Sequence, residues 1–155
     1  MSLLRLTVLE SAHKFAAGID QSPCDGCDQC GTRCTAGIRI LRAEFEAIQD
    51  YRHGPAGDDV RRVSAQPKTQ PIPGATETYE ACRFRDVDRG RCAIYPVRPL
   101  ICRLFGHVEW LPCPIEKVPH TLPGAVELMR LYATEPRHTY EEWLAQSAPS
   151  ASSPR

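Results

Sequence analysis

Residues 24–34 read Cys24-Asp25-Gly26-Cys27-Asp28-Gln29-Cys30-Gly31-Thr32-Arg33-Cys34. A second block begins at Cys82, continues through residues 92–103 and ends at Cys113-Pro114, and the two blocks hold all eight cysteines of the chain. Four thiols within eleven residues converge on a point more readily than they pair into disulfides. The sequence therefore predicts metal ligation by its cysteines, which are Cys24, Cys27, Cys30, Cys34, Cys82, Cys92, Cys102 and Cys113.

The rest of the chain is poor in residues that build a hydrophobic core. Leu, Ile, Val and Phe make up 32 of the 155 residues, close to the level of roughly 20% below which chains tend to be disordered. A chain with so small a core gains stability from metal ligation. We therefore expect a small fold, mainly α with irregular loops, that is a metal-stabilised cysteine-cluster domain.

Charge and hydropathy argue against several function classes. Nineteen basic and nineteen acidic residues cancel, so no global charge favours nucleic acid or an anionic membrane surface as a partner. No apolar stretch approaches the roughly 18 residues of a membrane span. Arg5 lies inside the apolar opening segment, which is wrong for a secretory signal. We therefore expect a cytoplasmic protein, in a compartment where thiols stay reduced.

Hydrophobic periodicity divides the chain into three parts. Residues 1–20 form an N-terminal amphipathic segment, in which we expect a helix over 2–17, with a strand over 4–9 as the alternative. Residues 21–146 form the cysteine-cluster metal-binding domain. Residues 147–155 form an Ala/Ser/Pro tail that we expect to be disordered.

Four segments of the cysteine-cluster domain carry helix signals. A helix is expected from about 40 to 51 and another over 124–133. Thr139 begins a capping box that opens a short last helix. Pro99 suits the first position of one or two helical turns that end near residue 105.

The remaining segments of the domain carry turn and loop signals. Residues 88–90 predict a turn, and residues 92–95 predict a short extended run after it. The segments 54–78 and 106–123 are rich in proline and show no apolar period, so both are expected to be irregular.

The spacing of the first block leaves two kinds of metal centre open. The pattern C-x2-C-x2-C-x3-C is the run that bacterial ferredoxins use for iron–sulfur clusters, although Thr35 stands where a proline usually follows. Structural zinc sites usually pair two C-x2-C knuckles, whereas the second block offers single cysteines nine or ten residues apart. We favour a 4Fe-4S cluster and keep zinc as the alternative.

Residues 92–103 resemble a known family signature. They read Cys-Ala-Ile-Tyr-Pro-Val-Arg-Pro-Leu-Ile-Cys-Arg, close to the pattern C-x-I-Y-x-x-R-P-x-x-C-R of the YkgJ-type cysteine-cluster family. The resemblance covers roughly residues 24–113. That family is described as a zinc- or iron-chelating domain and is nicknamed CxxCxxCC, so the resemblance implies metal binding.

The first block departs from the family pattern at one position. When Cys27, Cys30 and Cys34 are aligned on the family block, Arg33 stands where a further cysteine is expected. Cys24 lies upstream and is the candidate replacement. The resemblance therefore leaves open which cysteines share a metal.

Arg98 and Arg103 lie inside the signature and are the candidate cofactor-binding residues beyond the cysteines. A four-thiolate site carries about two negative charges, and nearby guanidinium groups stabilise that charge. We expect both arginines to contact ligand sulfurs and neighbouring carbonyl groups. His107 lies between Cys102 and Cys113, but a solvent-facing ring is the favoured interpretation there.

Three functions remain open. The favoured one is a protein that holds an iron–sulfur cluster and acts as a redox or accessory protein for a partner protein. A zinc-binding structural or interaction module without redox activity is the first alternative. The second is part of a protein-modifying enzyme, because the resemblance extends to domains within a protein-lysine methylating enzyme. The sequence shows no Ser/His/Asp set and no phosphate-binding glycine loop, so enzymatic activity is left undecided.

Overall fold

The structure is a computed structural model that describes residues 10–12, 14–27, 29–118 and 122–148. Helices account for 42% and strands for 17% of the described residues. The described strands form two-stranded antiparallel sheets. The expectation of a mainly α fold is therefore wrong, because the fold is mixed. The strands are two or three residues long, too short to show the alternating pattern that predicts a strand.

The elements follow one another in a simple order. They are α1 (helical residues 10–12 and 14–17), β1 (Arg39–Leu41), α2 (Arg42–His53), α3 (Gly57–Ser64), β2 (Thr69–Pro71), β3 (Thr78–Glu80), β4 (Arg85–Asp86), β5 (Arg91–Cys92), α4 (Leu100–Arg103), β6 (His107–Val108), β7 (Leu111–Pro112), α5 (Ala125–Ala133), β8 (Arg137–Thr139) and α6 (Tyr140–Ser147). Short 3-10 turns lie at Ser22–Cys24, Gly31–Arg33 and Tyr95–Val97.

The expected helices of the domain are present. Helices α2 and α5 lie close to the predicted positions. Helix α6 begins with the predicted capping box, in which the Glu142 amide donates to Thr139 Oγ1 and the Thr139 amide donates to Glu142 Oε2. In α4, Pro99 is the N-cap instead of the first helical residue. The first helical amide, that of Leu100, instead donates to Glu44 Oε1 at 2.7 Å.

Both segments expected to be irregular contain regular structure. The first half of residues 54–78 forms α3, in which Val60 and Val63 are fully buried. The second half contains β2, which pairs with β3. Residues 106–123 contain the β6–β7 hairpin. Two valines three residues apart are too few to reveal a helical period in the sequence.

The N-terminal helix is only partly described. Residues 10–12 and 14–17 are helical, in agreement with the helix expected over 2–17, and residues 1–9 lie outside the described residues. Ala12 and Ile19 are buried. The tail expected to be disordered begins at Ser147, the last residue of α6, and residues 149–155 also lie outside the described residues.

Two hydrophobic clusters form the core, and β1 contributes to both. Ile40 belongs to the first and Leu41 to the second, because successive side chains of a strand point to opposite faces. The first cluster comprises Ile40, Phe45, Ile48, Val60, Val63, Phe84, Ala93, Ile94, Tyr140 and Trp143. The second comprises Ala12, Ile19, Leu41, Leu100, Leu104, Val108, Ala125, Leu128 and Tyr132. In the part of the chain that is described, no helix has the length and apolar character needed to cross a membrane.

Candidate metal centre

All eight cysteines line one cavity of about 900 Å³, and all eight are free thiols. The two blocks are joined beside it by backbone pairing. Thr35 forms a β-bridge with Ala81, and the Cys82 amide donates to the Cys34 carbonyl at 2.8 Å. Residues almost fifty positions apart in the sequence therefore meet at the cavity wall.

Four of these cysteines form what we call the inner set: Cys34, Cys82, Cys92 and Cys102. A side-chain hydrogen bond joins Cys34 to Cys82, raising the pKa of Cys34 and lowering that of Cys82. Burial raises the pKa of Cys92 to about 11, and it raises the pKa of Cys102 still further. The charge of Cys82 adds to both of these increases, so the four thiols are close enough to influence one another.

Regular elements position the inner set. Cys92 lies in β5, opposite Arg85 of β4, and Cys102 lies in α4. Cys82 and Cys92 pack against the first hydrophobic cluster. The inner set is therefore attached to the most buried part of the fold.

The other four cysteines form the outer set: Cys24, Cys27, Cys30 and Cys113. The Cys27 amide donates to the Cys24 carbonyl at 3.0 Å. Arg33 donates a hydrogen bond to the carbonyl of Pro112, which joins the first block to the residue before Cys113. Burial raises the pKa of Cys24 and of Cys30, and the charge of Cys113 adds to both shifts.

Of the four cysteines of the first block, Cys34 is the one whose backbone pairs with the second block. The 3-10 turn Gly31–Arg33 separates Cys30 from Cys34, and the bridge between Thr35 and Ala81 brings Cys34 to Cys82. Local spacing contains no sign of this pairing, because it depends on a bridge to Ala81, a distant residue in the sequence.

Three of the sulfurs accept a hydrogen bond from a backbone amide two residues further along the chain. The donor and acceptor pairs are Phe84 with Cys82, Ile94 with Cys92, and Ile115 with Cys113. The Lys117 amide also donates to Cys113 Sγ at 3.2 Å. Burial alone would raise the pKa of Cys113, but these amides lower it. Amide donors stabilise the thiolate, which is the form that binds metal.

The donor chemistry of the cavity fits a thiolate-bound metal or cluster. Eight free thiols face one space, and backbone amides are aimed at three of the sulfurs. Among the described residues, no group of three or more His, Cys, Asp or Glu side chains has the spacing that would hold a metal ion. The fit therefore rests on the kind and number of donors that line the cavity.

Arg98 lies next to both sets. Its guanidinium carbon is 3.5 Å from the centroid of the Tyr95 ring, and it donates to Gln21 Oε1 at 2.8 Å. Burial raises the pKa of cysteines from both sets, and the charge of Arg98 opposes that shift at Cys24, Cys92 and Cys102. Arg98 thus supplies positive charge to the outer and the inner thiols together.

Arg103 positions the chain that carries Arg98. Its Nε donates to the Arg98 carbonyl at 2.9 Å and its Nη2 to the Pro96 carbonyl at 3.0 Å. These are the backbone carbonyl contacts expected of it, and its described hydrogen bonds go to carbonyls of residues 96–98.

Arg85 is a further basic residue of the cavity. Its guanidinium lies where a side chain on residue 31 would be, so glycine at Gly31 makes room for it. Burial raises the pKa of Cys92, and the charge of Arg85 opposes this shift. Arg85 thus joins a glycine of the first block to a cysteine of the second.

Glu44 is a residue whose role sequence reasoning missed. Its carboxylate accepts from the amides of Leu41 and Leu100, at 2.8 Å and 2.7 Å, and from the hydroxyl of Tyr132. It therefore holds the start of α4, the helix that carries Cys102. Its sequence signal is limited to its place in the first turn of α2.

His107 is buried, with only 4% of its surface exposed, so the solvent-facing interpretation is wrong. Its ring Nε2 lies 3.3 Å from Gln21 Nε2, and burial lowers its pKa. His107 lies in β6, where it is paired with Pro112 of β7.

A mixed fold with eight thiols around one cavity defines a cysteine-cluster metal-binding domain. A family model, described as "CxxCxxCC: Putative zinc- or iron-chelating domain", matches residues 23–137. The match covers most of the chain, so the protein belongs to this family, in agreement with the resemblance found in its sequence. No curated protein and no solved structure matches the chain.

Proposed function

We propose that the cysteines of the cavity hold a 4Fe-4S cluster and that the protein is a cytoplasmic redox or accessory protein for a partner protein. The cluster would supply one-electron chemistry. The chain supplies the thiolate ligands, the amide donors to their sulfurs and the positive charge beside them. Each of these contributions also sets the reduction potential of such a centre.

The composition of the outer set is the observation that carries the proposal. Cys24, Cys27 and Cys30 form C-x2-C-x2-C, and Cys113, which is followed by Pro114, lines the same cavity beside the Pro112 carbonyl that accepts from Arg33. In two-cluster ferredoxins, the fourth cysteine of a run is followed by proline and binds the other cluster. Each cluster is therefore held by three cysteines of one run and by a Cys-Pro pair from elsewhere in the chain. The outer set has this composition, with the Cys-Pro pair coming from a distant segment.

The inner set argues against a usual structural zinc site. Its cysteines stand singly at positions 34, 82, 92 and 102, whereas structural zinc ligands usually come in C-x2-C knuckles. The knuckles at Cys24/Cys27 and Cys27/Cys30 favour zinc as the second candidate, and a protein loaded with zinc would be a structural or interaction module.

Anaerobic purification of the full chain tests the metal. We expect iron and acid-labile sulfide in equal amounts, with broad visible absorption that bleaches on reduction. Zinc in place of iron and sulfide would overturn the cluster and support the zinc module. A midpoint potential that shifts on addition of a candidate partner protein would then test the redox role.

A further inference from the structure

We infer that the cavity holds two metal centres, one on the outer set and one on the inner set. This inference rests on the proposed function only in requiring that the cysteines bind metal. It concerns how many centres there are and which thiols belong to each, and it holds for iron–sulfur clusters and for zinc alike.

The first argument is the number of thiols that line the cavity. Structural zinc and cubane clusters both take four protein ligands, and eight thiols supply two such shells. Within the inner set, Cys34 is hydrogen-bonded to Cys82 and feels the charges of Cys92 and Cys102. Within the outer set, Cys30 feels the charges of the other three, Cys24, Cys27 and Cys113.

The second argument is the direction taken by Cys34. It follows the outer cysteines by four residues in sequence, yet its backbone and thiol are bonded to Cys82. In two-cluster ferredoxins the fourth cysteine of the run also leaves its neighbours and ligates the other cluster. A single centre built on the first block would require the Cys34 thiol to bind the same metal as Cys30. The β-bridge between Thr35 and Ala81 instead brings Cys34 next to Cys82.

The third argument is the charge of the cavity wall. The described residues that line it include seven Lys and Arg side chains and three carboxylates, and Arg91 is also paired with Asp59 outside the lining, which leaves an excess of three positive charges. A centre of four thiolates around zinc, or around an oxidised cubane, carries about two negative charges, and buried charge is costly unless it is compensated. One centre would leave part of this excess uncompensated, whereas two centres would compensate all of it.

The two centres have different surroundings. All eight cysteines are partly exposed. Cys82 and Cys92 of the inner set pack against the first hydrophobic cluster, and this contact protects metal on the inner set. Arg98 lies beside both sets and contributes positive charge to each.

Paired serine variants in the full chain, purified anaerobically, test the inference by metal content per chain. The outer variant is Cys24→Ser with Cys113→Ser, and the inner variant is Cys34→Ser with Cys102→Ser. We expect the outer variant to retain half of the wild-type metal, with an unchanged far-UV circular dichroism spectrum. The inner variant is expected to lose at least half. Thr134→Ser, on the surface after α5, is the control and should retain all of it.

Each alternative outcome overturns the inference. Loss of nearly all metal from a folded outer variant would show one shared centre. Full retention by the outer variant would show that the inner set binds alone. If the inner variant fails to fold, the retained half in the outer variant still decides between one centre and two. The identity of the metal is measured separately, so zinc would refute the iron–sulfur proposal without touching the count of centres.

Discussion

At the scale of single residues, Arg98 gives a direct test of charge compensation. Arg98→Lys keeps the charge but loses the planar fork, which here donates to Gln21 and to the Tyr95 carbonyl. We expect lower metal retention during gel filtration and a loss of about 1–3 kcal/mol in the free energy of unfolding.

Arg130→Lys, on the exposed surface of α5, is the matched control and should behave as wild type. If Arg98→Lys retains metal and stability equally well, Arg98 contributes nothing to either and is a surface residue or a partner contact.

Glu44 provides a second test at this scale. Glu44→Gln removes the charge that accepts from two amides and the Tyr132 hydroxyl. Hydrogen bonds to charged groups contribute roughly 1.5–3 kcal/mol each, so we expect a loss of about 2–3 kcal/mol in urea unfolding of the metal-loaded protein. Glu46→Gln in the same helix removes only an exposed pair with Arg42, which should cost below about 0.5 kcal/mol. Equal effects of the two substitutions on the free energy of unfolding would contradict the role of Glu44 in holding the start of α4.

The contrast between Arg98 and Glu44 shows what the sequence can reveal at this scale. Arg98 was singled out because it lies within a recognisable signature around Cys92 and Cys102. Glu44 was not, because its partners Leu100 and Tyr132 are 56 and 88 residues away. Nothing in the local pattern of α2 predicts such contacts. The eight cysteines themselves were obvious, whereas their division into two sets depends on one distant bridge at Thr35.

At the scale of elements, the β4–β5 hairpin that positions Cys92 depends on Asp86. This carboxylate is fully buried and accepts from Arg62 at 2.6 Å, from Gln66 at 3.0 Å and from the Arg89 amide at 3.2 Å. Burial alone would raise the pKa of Asp86, but these donors together hold it well below its usual range. The hairpin is therefore stabilised by the ionised form.

The lowered pKa of Asp86 predicts a dependence on pH. Its stabilising effect is fully present above the unfolded value of about 3.9 and is lost as the pH falls through the lower folded value. We expect Asp86→Asn to lower the urea midpoint at pH 7 and to differ progressively less from wild type below about pH 4. The comparison between the two proteins at each pH removes the common effect of acid on the metal. If the difference in urea midpoint between Asp86→Asn and wild type stays constant from pH 7 to pH 3, the ionised Asp86 carboxylate does not stabilise the hairpin.

Helices were easier to predict than hairpins in this chain. The capping box at Thr139 and the apolar period of α2 are local signals, and both helices are present. The hairpins β4–β5 and β6–β7 have strands of two residues, and side-chain contacts such as those of Asp86 fix the first. The turn expected at residues 88–90 is present between β4 and β5, but contacts such as those of Asp86 join distant parts of the chain and have no local signal in the sequence.

At the scale of the whole molecule, metal removal should separate the two halves of the core. Cys82 and Cys92 pack against the first hydrophobic cluster, and Cys102 lies in α4, which contributes Leu100 to the second. Ligation of these cysteines therefore connects the two clusters. Structural thiolate ligation supplies on the order of 10 kcal/mol, comparable to the whole stability of a small domain.

We expect chelation, or Cys102→Ser, to unfold residues 80–113. Hydrogen exchange followed by mass spectrometry would show lost protection in that segment, because short hairpins without their ligated cysteines retain few apolar contacts. Helix α2 is the internal control and should retain more protection, since the Phe45 ring packs directly against the rings of Tyr140 and Trp143, and these contacts involve no cysteine. An apoprotein with the same cooperative transition and the same protection as the loaded protein would mean that the metal is peripheral to folding. In that case the thiols would contribute to the chemistry of the cavity and not to the stability of the fold.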